Sequence, residues 1–185
     1  HLAAYEAARA AEGERLLAVA FRAMPADCAA VSAADETGLV FAGFCAFVDP
    51  PKQSAATAIA RLSGMGIRVK IVSGDAAPVV RHLVQALGLS AKGLLTGAEI
   101  EALSDAALAG QVEQVDLFAR VSPDQKTRII RALRARGHVT GFIGDGINDA
   151  PAIRAADVGL SVEGATDVAR AAADMIMLAP DLSVL

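Results

Sequence analysis

The densest chemistry in this sequence lies in Gly144-Asp145-Gly146-Ile147-Asn148-Asp149-Ala150-Pro151. Two carboxylates and an amide fall within one turn, and the glycines let the backbone bend tightly. Carboxylates completed by water and phosphate oxygens are how proteins hold magnesium. The octet follows the apolar run "HVTGFI" and opens the short helical run "APAIRAA". That context suits a metal loop better than an Asx-rich helix cap. It is not a dinucleotide fingerprint, because the glycines are too few and Asp145 would repel a pyrophosphate unless a cation intervened. A second group, Ser73-Gly74-Asp75, directly follows "RVKIV". Its hydroxyl and free backbone N–H groups could hold phosphate oxygens. Taken alone it reads equally as an ordinary turn with a helix cap. The third group is Lys126, near the start of a helix after "DLFARV", where an ammonium could neutralise phosphate charge. Taken alone it is a solvated helix lysine.

These groups need elements to position them. From residue 53 onward the pattern alternates helix and strand. "QSAATAIARLSGMG" predicts a helix, "RVKIV" a strand, and "PVVRHLVQALG" a helix with Pro78 in its first turn and Gly88 past its end. "DLFARV", "HVTGFI", "DVGLSV" and "DMIML" predict strands, and "PDQKTRIIRALRARG" and "ATDVARAAA" predict helices between them. This rhythm indicates an α/β fold with a mainly parallel sheet and flanking helices. Reactive groups in such sheets collect beyond the carboxyl ends of the strands, where all three clusters fall. Upstream, residues 2–12 predict an Ala-rich helix, and "RLLAVAF" and "LVFAGFCAFV" predict strands, the second interrupted by Gly43. The prolines of "DPPK" cannot continue a ladder, so they mark a boundary after residue 48.

Composition limits the options further. At 54% hydrophobic and 21% charged residues the chain is not of disordered type. A net charge of -4 without a basic stripe argues against nucleic acid as a partner. Cys28 and Cys45 have no metal-ligand spacing and are too few for a disulfide scaffold. No apolar run reaches the roughly 20 residues that span a bilayer, so the chain as given is expected to be soluble.

The order hydroxyl, lysine, acidic loop resembles that of the haloacid-dehalogenase-like phosphotransferases. The wording "SGD", "FARVSPDQK", "GFIGDGINDAPAIRAADVGLSV" and "DPPK" resembles the phosphorylation domain of the P-type ion-transporting ATPases, from about Glu12 to Leu185. "EGERLLAVAFR" is similar to the end of their nucleotide-binding domain. "TGAEIEALSDAALAGQ", "LFARVSPDQK" and "DLSVL" resemble the magnesium-transporting branch, with the proton-pumping branch a close second. The resemblance implies a Rossmann-like, haloacid-dehalogenase-type parallel sheet over 49–185 and a small α+β remnant of the nucleotide-binding domain over 1–48. It implies that Asp145 ligates a catalytic Mg2+, with Asn148 and Asp149 completing the phosphate and metal environment. Ser73 (the family usually has threonine there) and Gly74 would bind the transferring phosphoryl group, and Lys126 would contact its oxygens. Arg120 and Asp75 would lie nearer the nucleotide. Asp49, grouped with them, would form the interdomain hinge with the two prolines. ATP and a transported cation, whether magnesium, proton or calcium, would be partners of a membrane-embedded parent, with this region on its cytoplasmic face.

One motif competes for the role of nucleophile. "ADETG" at 34–38 is close to the family's Asp-Lys-Thr-Gly-Thr, and Asp35 would make the chain a stand-alone phosphatase. Against this, "CAAVSAA" is a poor strand, Glu36 replaces the lysine, and Leu39 follows Gly38. Asp35 is therefore expected at a hairpin tip, and the nucleophile strand is expected to be absent from what looks like a piece of a longer pump. That piece alone should be inactive. The missing central strand should leave a gap or an exposed strand edge that invites pairing with another chain. The third reading is a non-enzymatic module that binds magnesium or nucleotide.

Overall fold

The structure is a computed structural model of the chain. It describes residues 1–185 except Asp27, Ala29, Pro180, Asp181 and Leu185, and leaves aside the side chains of Gln53 and Ser183. The N-terminal part is a helix and a hairpin. Helix α1 (Leu2–Ala11) leads through Gly13 into β1 (Glu14–Phe21), which pairs antiparallel with β2 (Val40–Val48). The register steps where Val19 faces Gly43 but Ala20 faces Phe41, so the expected interruption at Gly43 is a β-bulge rather than a break. Tyr5 of α1 stacks on Phe44 with ring centroids 5.6 Å apart, and Phe41 meets Phe44 edge-on at 5.0 Å. Arg9 binds Glu12 and Glu14, tying α1 to β1. Gly13 has φ +85°, and a Cβ there would lie 2.4 Å from Cδ2 of His82. The turn thus fits against the next helix layer only as glycine. Leu17, Phe21, Val40, Phe47 and Val48 stay exposed, so the hairpin is a thin ribbon without a covering layer among the described residues.

From residue 53 the expected alternation holds. Helix α2 (Gln53–Gly64), β3 (Ile71–Val72), α3 (Ala77–Ala86), β4 (Leu94–Thr96), α4 (Gly97–Ala102) and α5 (Asp105–Gln111) come first. Then follow β5 (Leu117–Ala119), α6 (Pro123–Ala135), β6 (Gly141–Ile143), α7 (Ala150–Ala155), β7 (Val158–Val162), α8 (Asp167–Ala172) and β8 (Met175–Met177). Capping fixes several helix starts. Ser122 and Gln125 exchange side-chain and backbone bonds at the head of α6, with Pro123 in its first turn. Thr96 and Glu99 do the same for α4. The 89–115 stretch, to which the sequence pattern assigns no elements, holds β4, α4 and α5.

The strands form two three-stranded parallel sheets, ordered β3-β5-β4 and β6-β7-β8, rather than one continuous sheet. Phe118, Ile100, Leu108, Val112 and Ile129 centre the core of the first. Ile130, Phe142, Ala152, Ile153 and Ala169 centre that of the second. Val72 packs against both cores, so β3 and β6 are the inner edges of the two sheets. Their backbones face away from each other's partners in a regular way. Ile71 and Ser73 donate to Asp116 and Phe118 on β5's side, which leaves Val72 turned outward. Val158 donates to Thr140 and Gly144 donates to Leu160, which leaves Gly141 and Ile143 turned outward. Among the described residues no strand pairs with either inner edge.

The strand predicted for "RVKIV" shortens to Ile71–Val72 because its first half serves a charge cluster. Arg68 donates to Asp116 at 2.7 Å, and Lys70 Nζ donates to the Val112 carbonyl at 2.9 Å and lies 3.4 Å from Asp116. Asp116 also accepts from the Lys92 N–H at 2.8 Å. Burial pushes the Asp116 carboxyl up, but the Lys92 and Arg68 hydrogen bonds and the two cations outweigh it, so it sits below the usual carboxylate range. Burial likewise pushes the Lys70 ammonium down.

Two outcomes follow from this packing. Asp116→Asn should lower the unfolding free energy by about 2 kcal/mol at neutral pH, because Lys70 loses its anion. Urea unfolding should show the deficit narrowing as pH falls through the depressed carboxyl pKa, since the wild-type contribution is present above that range and lost below it. Gly13→Ala should displace His82 and loosen α1 from α3, which would appear as faster hydrogen exchange in α1 with the sheets unaffected.

Candidate functional site

Ser73 ends β3. Its Oγ donates to Asp75 Oδ2 at 2.9 Å and accepts from the Asp75 N–H at 3.0 Å. This Ser73–Asp75 turn is stitched to the link between β5 and α6. Val121 donates to the Ser73 carbonyl at 3.1 Å, and Arg120 donates to the Asp75 carbonyl at 2.8 Å. Arg120 is the only described non-glycine residue with positive φ, at 51°. A left-handed arginine costs about 1 kcal/mol or more and persists only when neighbours enforce it. Gly97 is one such neighbour: a Cβ there would lie 2.1 Å from the Arg120 carbonyl oxygen and 2.7 Å from Gln125 Oε1. The Arg120 guanidinium meets no described partner and lines a cavity of about 500 Å³ with Arg15, Gly74, Asp75 and Ser122.

Arg15 was not singled out from the sequence. It stands on β1 and approaches Asp75 Oδ1 at 3.2 Å, which places a cation from the hairpin above the Ser73–Asp75 turn. Only the fold brings residues 15 and 75 together. The available signal was a single basic side chain inside the otherwise apolar strand "RLLAVAF".

Lys126 projects from the first turns of α6 and donates to Asp149 Oδ1 at 2.6 Å. Both side chains are largely buried. The other oxygen of Asp149 accepts from the N–H groups of Asp145 at 3.3 Å and Gly146 at 3.1 Å. Gly144 permits this closure, since a Cβ there would lie 2.4 Å from the Cβ of Asp149. Asp149 therefore locks the loop and orients the lysine. Asp145 and Asn148 are exposed, and their side chains take no bond from a described residue. Ser73, Gly74, Asp75, Arg120, Lys126, Asp145, Asn148 and Asp149 thus all follow the carboxyl ends of β3, β5 and β6, and the Lys126–Asp149 pair ties the 144–149 loop to α6. Asp49 does not join them. It is exposed just past β2, in the link to α2.

Asp35 also stays apart. It closes a 3-10 turn over Ala33–Asp35 and accepts from the Ser32 N–H and Oγ, both at 3.0 Å, with Arg22 at 3.4 Å. Those Ser32 bonds hold its carboxyl below the usual range. It has no bond to Ser73, Lys126 or the 144–149 loop, so the carboxylate that spells like a nucleophile is a turn residue on the hairpin connection.

The donor set can be tested for a metal. Among the described residues no group of three or more His, Cys, Asp and Glu gathers to cage one. Magnesium does not require such a cage, since it is usually held by one or two carboxylates with water and substrate phosphate oxygens completing the shell. An exposed Asp145 carboxylate without a bond from a described residue fits that pattern. Among the described residues, no helix is long and apolar enough to cross a membrane.

Comparison with known proteins agrees with this geometry. The profile of the haloacid dehalogenase-like hydrolases matches residues 4–157. "Magnesium-transporting ATPase, P-type 1" of Escherichia coli (strain K12) is 48% identical over 174 residues, covering 94% of this chain and 19% of that protein. The protein of the same name from Salmonella typhimurium (strain LT2) is 47% identical over 177 residues, covering 95% and 20% respectively. "Probable cation-transporting ATPase F" of Mycobacterium bovis is 42% identical over 154 residues, covering 80% and 17%. The chain spans about a fifth of the length of these curated relatives. It belongs to the haloacid dehalogenase-like hydrolase family and, along nearly its whole length, is homologous to the P-type ATPases.

Proposed function

We propose that this chain is the phosphorylation region of an ATP-driven cation pump that forms an aspartyl phosphate, with magnesium as the transported ion. Residues 49–185 would be the phosphorylation domain and residues 1–48 the end of the nucleotide-binding domain, on the cytoplasmic face of the parent. Asp49 and its prolines would form the hinge. The observations that support this reading are the Lys126–Asp149 pair and the backbone bonds that tie the Ser73 turn to the link leading into α6, with the inner edges of β3 and β6 unpaired among the described residues. An extended strand running between those edges would carry a terminal aspartate toward Ser73, Lys126 and Asp145. The alternative phosphatase reading loses its nucleophile, because Asp35 is committed to its own turn.

Phosphoryl transfer is mostly positioning and neutralisation of spreading negative charge. Ser73 Oγ and the Gly74 N–H would bind equatorial oxygens of the transferring group. Lys126, already aimed by Asp149, would meet another. Asp145 would hold Mg2+, which when bound supplies charge neutralisation at the phosphoryl oxygens. Asn148 would border that shell, and Asp149 would hold its frame. Arg120 and Arg15, which both line the cavity, suit the polyphosphate of ATP, with Asp75 ordering Arg15. The same open edges are where a second copy would pair if no strand filled them.

The test is a chimera in which this chain replaces the matching segment of the Escherichia coli relative. The chimera should form an acid-stable, hydroxylamine-labile phosphoenzyme from ATP and support magnesium-limited growth. Lys126→Met should cut phosphoenzyme formation by about 10²-fold or more. A folded chimera that takes no phosphate would contradict the reading. So would a Lys126→Met chimera as active as its parent.

A further inference from the structure

We infer that Ser161 and Thr166 are positioning residues for Asp145, and that their hydroxyls set the magnesium affinity of the loop. This rests on the proposal above that Asp145 takes Mg2+. Ser161 lies in the middle of β7, between Leu160 and Val162, and is fully buried. A hydroxyl so placed costs free energy unless it is bonded, and alanine would fit with less penalty. Its Oγ donates to the Gly144 carbonyl at 2.9 Å. Thr166 caps α8. Its N–H donates to the Asp145 carbonyl at 2.9 Å, and its Oγ approaches the same oxygen at 3.3 Å while accepting from the Ala169 N–H at 3.4 Å. One hydroxyl can serve both roles, because it has one proton and two lone pairs.

Together with Asp149, these bonds fix the loop from every side. Asp149 takes the Asp145 and Gly146 amides, Ser161 takes the Gly144 carbonyl and Thr166 takes the Asp145 carbonyl. The Asp145 carboxylate is the loop's remaining unbonded anion. Magnesium demands near-octahedral geometry, so a carboxylate on a fixed backbone binds it better than one on a wandering loop. Groups that orient a ligand without touching the metal typically change its affinity 10- to 100-fold. Neither hydroxyl is near the loop in sequence, and they come from two different elements, β7 and the head of α8.

The test is Mg2+ titration of the isotope-labelled chain, following the Asp145 and Gly146 amides by NMR well below the unfolding midpoint. Ser161→Ala and Thr166→Val should each weaken Mg2+ binding about 10-fold. Thr166→Ser, which keeps the donor, should stay within about threefold of wild type. A role in folding alone would lower the unfolding midpoint but leave affinity unchanged, so folded variants that bind like wild type overturn the inference. The two variants lie in separate elements, so either one decides the matter if the other fails to fold. Wild type without any saturable change at these amides would instead contradict the metal role of Asp145.

Discussion

The arrangement depends on the ion pair between Lys126 and Asp149, 2.6 Å apart and largely shielded from water. Lys126 belongs to α6, which continues from β5 of the first sheet, and Asp149 belongs to the loop that continues from β6 of the second. The pair therefore joins two sheets that share no strand hydrogen bond among the described residues. Removing either partner of such a pair typically costs about 3 kcal/mol, because the other charge is left stranded. The pair also leaves Lys126 in a defined place. A lysine held by a carboxylate that is itself anchored by loop amides needs little reorganisation when a phosphoryl oxygen arrives, and preorganised charge is what stabilises charge spreading in the transition state.

The remaining site follows from the same geometry. Backbone bonds from Val121 and Arg120 tie the Ser73–Asp75 turn to the link that leads into α6, the helix that carries Lys126. The left-handed Arg120 and the close contact at Gly97 keep a guanidinium facing the cavity. From β1, Arg15 reaches Asp75 across the boundary between hairpin and sheet. The cleft is thus lined by basic side chains from two separate parts of the chain, alongside Glu6, Glu14 and Asp75.

Much of this was legible in the residues. The alternation from Gln53 onward and the "GDGINDAP" loop predicted parallel strands, and Lys126 of α6 does reach the loop, through Asp149. The 89–115 stretch carries no legible element because β4 has only three residues and α4 only six, too short for a periodic signal, although the Thr96–Glu99 capping box is present. "RVKIV" looked like a full strand, yet Arg68 and Lys70 turn to Asp116, a partner that no local pattern announces. Arg15, Ser161 and Thr166 act through contacts made only in three dimensions. Asp35 shows the converse: its spelling suggested a nucleophile, and its weak upstream strand correctly placed it on a turn.

The fold leaves the inner edges of β3 and β6 unpaired among the described residues and open to an added strand. Amide hydrogen exchange at Val72, Gly141 and Ile143 tests it most directly, measured with and without an extended apolar peptide ending in Asp-Lys-Thr-Gly-Thr. These three amides should exchange rapidly in the chain alone and gain about tenfold or greater protection with the peptide. Protection already present without peptide, or protection appearing at the β4 and β8 edges instead, would contradict the account.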